Sequence, residues 1–271
     1  MKVFISVDLE GIAGIVHGDQ TSSSGKQYDE ARALMTAEAS AAIAGAFDGG
    51  ASEVIVNDAH GAQRNLLLAD LDPRARVITG SAKPLSMMQG IDESFDAAFF
   101  IGYHAGAGYQ GVLSHTYDSL VSAVRLNSLL AGEITINAAL AGYFGVPVAL
   151  VTGDSSACRE AVSVLLDVDT VPVKEPITRY SANVLNPLAA RDKIKASSMA
   201  VMGRIQALEP FTLEPPIRFE LTFVNTGFAD RATLMPGANR IDPLTVVYES
   251  DDFIIAYQGF LTMFVLADSA R

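Results

Sequence analysis

Two carboxylates stand one residue apart in the segment Ser6-Val7-Asp8-Leu9-Glu10. If the strand geometry continues through them, Asp8 and Glu10 point to the same face. Carboxylates that close repel each other and raise one pKa, so the pair calls for a cation or a shared proton. His60 follows Asn57-Asp58-Ala59, His104 follows Gly102-Tyr103, and His115 comes after the glycine-containing stretch from Gly106 to Ser114. Nitrogens from His60 and His104 would add imidazole ligands at the same point. The chain has a single cysteine, so no thiolate cluster is available. Oxygen and nitrogen donors suit zinc, manganese or cobalt rather than copper(I) or an iron–sulfur cluster. Taken singly, each signal has a plainer reading: Asp-x-Glu as a capped, solvated loop, and a strand-end histidine as a satisfied structural imidazole. Their concentration favours ligation.

That concentration follows from the elements that carry these residues. Val3–Val7, Val54–Val56, Val77–Thr79, Ala97–Ile101 and Val148–Thr152 are β-branched or aromatic runs that read as buried strands. Between them, Tyr28–Phe47, Glu133–Phe144 and Ser155–Leu166 have helical spacing, with a short helical piece around Leu85–Met88. Gly49-Gly50 stops the first long helix, and Ser155 is a candidate cap for the last. Alternating strands and helices predict an α/β fold, a mostly parallel sheet flanked by helices. In such sheets ligands bind beyond the carboxyl ends of the strands, where Asp8, Glu10, His60 and His104 fall. Beyond Val173 the pattern changes: Lys174–Tyr180, a helix over Pro187–Leu208, a proline-marked link, a strand at Arg218–Val224, a helix at Ala229–Met235, a strand at Leu244–Tyr248 and a last helix at Asp252–Leu266. The expected division is a metal-binding domain over 1–180 and a smaller C-terminal α/β portion over 181–271.

Composition narrows the functional class. Of 271 residues, 31 are acidic and 19 basic, a formal net charge of −12. This argues against binding nucleic acid or an anionic membrane, whose phosphates need lysine and arginine. No apolar run approaches the length of about 18 residues needed to span a bilayer, and the amino terminus shows no secretory signal. With one cysteine, the expected setting is the reducing cytoplasm. Cys158 reads as a small buried side chain, and His17, with no partner at ligand spacing, as a surface or substrate-rim residue. Gly102 to Gly108 lacks the lysine and hydroxyl of a phosphate loop. Glu133, opening a helix after Gly132, has a plain reading as a first-turn glutamate that complements the helix dipole.

Several motifs occur together in register: Ser6-Val7-Asp8-Leu9-Glu10-Gly11-Ile12, Val56-Asn57-Asp58-Ala59-His60, Lys83-Pro84-Leu85-Ser86-Met87-Met88, Gly102-Tyr103-His104-Ala105, Gly111-Val112-Leu113-Ser114-His115 and Gly132-Glu133. Over most of residues 1–180 the chain resembles the D-aminopeptidase family of binuclear zinc metallopeptidases; the C-terminal third is less distinctive. The resemblance implies two divalent ions per subunit, zinc with manganese or cobalt as alternatives. It implies ligands at Asp8, Glu10, His60, His104 and Glu133, with Asp8 bridging, and a catalytic role for His115. It thereby replaces the plain reading of Glu133. It further implies a homo-oligomer, a decameric ring in the typical case, with active sites facing an internal chamber.

The expected activity is removal of the amino-terminal residue of short peptides, D-amino-acid-containing ones by resemblance, through a water activated by two metals. His115 could protonate the departing amine, stabilise the oxyanion or, in a covalent scheme, attack directly; the first two are favoured, because an activated water makes a second nucleophile unnecessary. The alternatives are a two-metal hydrolase of another substrate class, an amidase or a phosphoesterase, and a non-catalytic metal-binding oligomer.

Overall fold

The computed structural model describes residues 1–271. In chain order the elements are β1 (Lys2–Val7), α1 (Gly18–Thr21), α2 (Tyr28–Asp48), β2 (Glu53–Asp58), β3 (Arg76–Ile78), β4 (Ala97–Tyr103), β5 (Val121–Leu126), β6 (Leu129–Leu130) and α3 (Glu133–Tyr143). There follow β7 (Val148–Asp154), α4 (Ser155–Val164), β8 (Asp169–Thr178), β9 (Ser181–Val184), α5 (Pro187–Val201), β10 (Ile217–Phe223), α6 (Thr226–Ala232), β11 (Asn239–Arg240), β12 (Thr245–Ser250) and α7 (Phe253–Asp268). Single 3-10 turns occupy Leu68–Asp70 and Ser86–Met88, and another continues α5 over Met202–Ala207.

The larger sheet runs β3-β2-β1-β4-β7-β8-β9, parallel apart from the β8–β9 hairpin. The central pair, β1 and β4, is buried on both faces, which is why its sequence reads as continuous apolar runs. Alternate residues serve two cores. Val3, Ile5 and Val7 with Ala97, Phe99 and Ile101 pack toward α2 and α5. Phe4 with Ala98 and Phe100 packs toward α3 and α7. A second, antiparallel sheet, β11-β12-β10-β5-β6, closes over that latter side. The expected fold class holds.

The local signals also locate most boundaries. Pro187 starts α5 behind the Asn186 cap, and Asp252 caps α7 through Ile255 N–H. The cap of α4 is Asp154 rather than Ser155: its Oδ1 accepts from Ala157 N–H at 2.7 Å, and Ser155 is the first helical residue. The helix expected over Pro187–Leu208 tightens to a 3-10 turn at Met202. Strands β5, β6, β9 and β11 have no counterpart in the sequence reading. β6, β9 and β11 are only two to four residues long and pair with their neighbours β5, β8 and β12, whereas β5 is interleaved with polar residues and pairs with the distant β10 through Leu126 and Phe219. The 180/181 division falls at the Arg179-Tyr180 turn of the β8–β9 hairpin. Helix α5 beyond it packs on α2, and β5 and β6 before it join the C-terminal strands.

One buried acid on α2 sets a pH dependence. Glu38 is 2 % exposed, accepts from Ala13 N–H at 2.9 Å through Oε1, and leaves Oε2 unpartnered. Burial pushes its carboxyl up from 4.5 to about 7, against the Ala13 hydrogen bond and the nearby Lys174 charge. The folded state therefore holds a proton that the unfolded chain releases between those two values, and stability falls as pH rises through that window. Glu38→Gln keeps the Oε1 acceptor and removes the titration. Its melting temperature relative to the parent should climb between pH 5 and pH 8, which thermal denaturation at several pH values measures; a constant difference would refute the assignment.

Candidate metal centre

The site lies at the carboxyl ends of the two central strands. The spacing predicts that Asp8 and Glu10 converge by continuing the strand, but the chain leaves β1 at Asp8 and turns. The convergence comes from close packing of that turn on the end of β4. Gly11 N–H donates to Gly102 O at 2.7 Å, and Gly102 has φ +72°. A Cβ on Gly102 would strike the carbonyl oxygen of Asp8, and one on Gly11 would strike that of Tyr103. Only glycine permits this approach, and it brings Asp8 and Glu10 to His104.

All six residues expected from the sequence line one cavity of about 140 Å³. Asp8, Glu10, His104 and Glu133 are at most 5 % exposed. His60 Nδ1 lies 3.2 Å from Asp8 Oδ1 and 2.9 Å from Glu10 Oε2. His104 Nε2 lies 3.4 Å from both Asp8 Oδ2 and Glu133 Oε2. Donor atoms of Asp8, Glu10 and His104 fall within 4.8 Å of one another, as do those of His104, His115 and Glu133. The His115 ring stacks on His104, centroids 4.2 Å apart and planes 7° from parallel. His17 does not belong to the group: it is exposed and caps α1 through Asp19 N–H. Asp58 turns away, accepting from Asn65 and Leu66 backbone N–H groups. Cys158 is buried, as expected.

Each of the three histidines in the cavity has one ring nitrogen on a backbone carbonyl: His60 Nε2 on Thr21 O at 2.8 Å, His104 Nδ1 on Ala105 O at 3.0 Å, and His115 Nδ1 on Leu113 O at 2.8 Å. A carbonyl only accepts, so that nitrogen carries the proton and the other is free for a lone pair. For His60 and His104 the free nitrogen faces the carboxylates. This is the outer-shell arrangement that orients metal-ligating imidazoles.

The electrostatics call for a cation. Three carboxylates line the cavity and no lysine or arginine does. Burial, then the Glu10 charge, raises Asp8 above the ordinary aspartate value, and Asp8 Oδ2 has no hydrogen-bond partner. Burial works against ionisation of Glu10 and Glu133 too, but their histidine neighbours outweigh it and hold both low. The reciprocal effect overcomes burial at His104, raised to about 10, and at His60. Without metal, imidazolium protons balance the acids; a divalent ion would displace them. The donor set therefore fits divalent metal.

Two supporting residues went unnoticed in the sequence. Lys174, on β8, is 2 % exposed, and its Nζ donates to the carbonyls of Glu10, Ile12 and Ile15 at 2.5, 2.9 and 2.6 Å. Glu160, on α4, accepts from Gly106 N–H at 2.9 Å and Gly132 N–H at 3.0 Å, tying the loop after His104 to the start of α3. Their only sequence signal is a charge amid apolar neighbours, Val171-Pro172-Val173-Lys174 and Ala157-Cys158-Arg159-Glu160-Ala161. The loop bearing His115 is held by Asp154, whose Oδ2 accepts from Val112 N–H, and by Arg179, which donates to Ser114 Oγ and its carbonyl. Tyr117 N–H donates to Glu133 Oε1 at 2.6 Å.

A family model described as D-aminopeptidase matches residues 1–262. The chain belongs to the D-aminopeptidase family. A D-aminopeptidase of Bacillus subtilis (strain 168) in the same family is 38 % identical over 270 residues, covering 98 % of each chain. The solved structure of the Zn-dependent D-aminopeptidase DppA from Bacillus subtilis, described as a self-compartmentalizing protease, superposes with a TM-score of 0.97. It does so at 37 % identity over 99 % of this chain and 98 % of that one. The fold expected of the family is thus shared end to end. No helix is long and apolar enough to cross a membrane.

Because Asp8 is held above its ordinary value, its charge opposes folding of the metal-free protein at neutral pH. Asp8→Asn should raise the melting temperature of chelator-treated protein by a few degrees, about 2–4 °C per kcal/mol relieved. The same variant should lose the further rise that added zinc gives the parent. Differential scanning calorimetry with and without zinc reads both effects; a full zinc-induced rise in the variant would remove Asp8 from the ligand set.

Proposed function

We propose that the chain is a zinc-dependent D-aminopeptidase that removes the amino-terminal residue of short peptides. The observation that carries this reading is the convergence of three buried carboxylates with three histidines, each imidazole fixed by a carbonyl, in a cavity with no lysine or arginine. The full-length likeness to a Zn-dependent D-aminopeptidase supports the metal and the substrate class.

Asp8, Glu10, His60, His104 and Glu133 would hold two divalent ions, with Asp8 shared between them. When bound, the ions supply Lewis-acid polarisation of the scissile carbonyl and ready ionisation of water at neutral pH. The remaining work falls to the chain. The cavity has no lysine or arginine to hold the phosphate of an anionic ester. His115, its Nδ1–H fixed on Leu113 O, keeps Nε2 for proton transfer. It takes the proton released as water attacks and delivers it to the departing amine. The Asp154 and Arg179 contacts to its loop hold the ring against His104.

A homo-oligomer, a decameric ring enclosing the sites, would restrict access to short peptides; the self-compartmentalizing relative supports this part of the reading. The setting is the cytoplasm, where the lone Cys158 stays reduced.

Zinc-loaded protein should hydrolyse D-aminoacyl dipeptides faster than their L-counterparts and leave phosphate esters intact. His115→Ala should lower kcat by about 10²–10⁴-fold at unchanged metal content, measured by steady-state kinetics alongside elemental analysis. A variant that keeps parental kcat with its metal bound would end the proton-transfer role.

A further inference from the structure

Beside the metal cavity lies a larger one of about 340 Å³, and Gly61, Gln63, Ser86 and Tyr117 line both. The two spaces therefore meet at a shared wall. The floor of the larger cavity is apolar, from Leu120 and the α7 residues Leu261, Phe264 and Val265. Three charged side chains line it: Lys83, Asp118 and Asp268. The two aspartates share a partner outside the cavity lining, Arg271, which donates to Asp118 and lies 3.2 Å from Asp268. Lys83 has no such contact: the Asp58 carboxylate attracts it without forming a salt bridge, too weakly to offset burial. Its Nζ donates to two neutral acceptors, Asn57 Oδ1 at 2.6 Å and the Asp58 carbonyl at 2.7 Å, and forms no salt bridge. An ammonium group has three donors, so one remains. Lys83 is also the only lysine or arginine lining either cavity.

We propose that the larger cavity receives the part of the peptide that leaves, with Lys83 as the anchor for its terminal carboxylate. This inference rests on the aminopeptidase reading above and adds a determinant to it. The two cavities divide a short peptide between them. Its amino-terminal residue sits in the metal cavity, which has no lysine or arginine. The carboxylate end meets the single unpaired cation across the shared wall, and apolar side chains between them rest on α7. Burial supplies a reason for the arrangement: it pushes the Lys83 ammonium down to about 8, so a bound carboxylate stabilises a charge that the fold alone leaves poorly solvated. The Asn57 and Asp58 contacts hold Lys83 in place. They tie it to the end of β2, two residues before His60, so the anchor is set at a fixed separation from the metal ligands.

The test compares D-alanyl-glycine with D-alanyl-glycine amide, which differ only in the terminal charge. Zinc-loaded parent should favour the acid in kcat/KM by about tenfold or more, the worth of one charge-assisted hydrogen bond. Lys83→Met should bring the acid-to-amide ratio close to one, and Lys83→Glu should invert it. Scoring the ratio separates anchoring from bracing, because a merely structural role lowers both rates together and leaves the ratio intact. A parent that treats acid and amide alike overturns the proposal without any variant. Calorimetric binding of the same pair with the scissile amide reduced to CH2–NH separates the two readings. Tighter, Lys83-dependent binding of the acid in a protein that hydrolyses neither peptide would keep the anchor and discard the aminopeptidase. Hydrolysis of both peptides with no Lys83-dependent preference would do the reverse.

Discussion

Three carboxylates buried within reach of one another are the constraint around which this molecule is arranged. Like charges in a low-dielectric interior repel far more strongly than in water, and burial separately disfavours each ionised form. Asp8, Glu10 and Glu133 are nevertheless placed together, with Asp8 Oδ2 unpartnered and the imidazoles of His60 and His104 as the nearest balancing groups. Such a cluster does not stabilise a fold by itself. It persists because the backbone around it is fixed by interactions that do not involve the cluster's own charges.

Those interactions come from the layers beneath. Asp8, His60 and His104 follow β1, β2 and β4, interior strands of a sheet covered on both faces, so their starting points cannot drift. Lys174 gathers three carbonyls of the turn carrying Glu10 onto one ammonium. Glu160 gathers the amides of Gly106 and Gly132, joining the loop after His104 to the residue before Glu133. Each is a buried ionisable group satisfied by backbone dipoles, strong in a dry interior, with burial pushing Lys174 down to about 8 and Glu160 up to about 7. An amine thus braces the turn bearing Glu10, and a carboxyl steadies the segments bearing His104 and Glu133.

The sequence showed the ligands and the frame more clearly than the walls. Asp8, His60 and His104 could be placed because they follow apolar runs that read as strands, and the carboxyl edge of a parallel sheet is a physical rule rather than a pattern match. Glu133 was not separable from an ordinary first-turn glutamate by local signals; the resemblance in several motifs singled it out. Strand β5 escaped because most of the ladder of Val121-Ser122-Ala123-Val124-Arg125-Leu126 comes from β10, nearly a hundred residues later, and β6 because it is two residues long. Lys174 and Glu160 escaped for a related reason. A charge in an apolar stretch announces burial, but which carbonyls or amides it meets is decided by tertiary packing.

The backbone divides the site along the same line. Seven non-glycine residues have positive φ, and five of them, Gln63, Ala82, Ser86, Leu113 and Tyr117, either line the two cavities or lie two residues before His115. Such conformations are disfavoured for residues with a Cβ and survive where the surroundings over-determine them. Here the surroundings are specific: Ser86 accepts from Gln63 Nε2, Asn57 Nδ2 donates to the Ser86 and Met87 carbonyls, and Ser6 and Tyr103 hydrogen-bond beneath Met87. The metal-facing carboxylates and His104 are not among the strained positions. The unstrained ends of central strands carry the cluster of acids and imidazoles, and strained loops pinned to those strands shape the space beside it. The residues lining the adjoining cavity are therefore held to the sheet by side-chain hydrogen bonds, so both cavities keep one geometry.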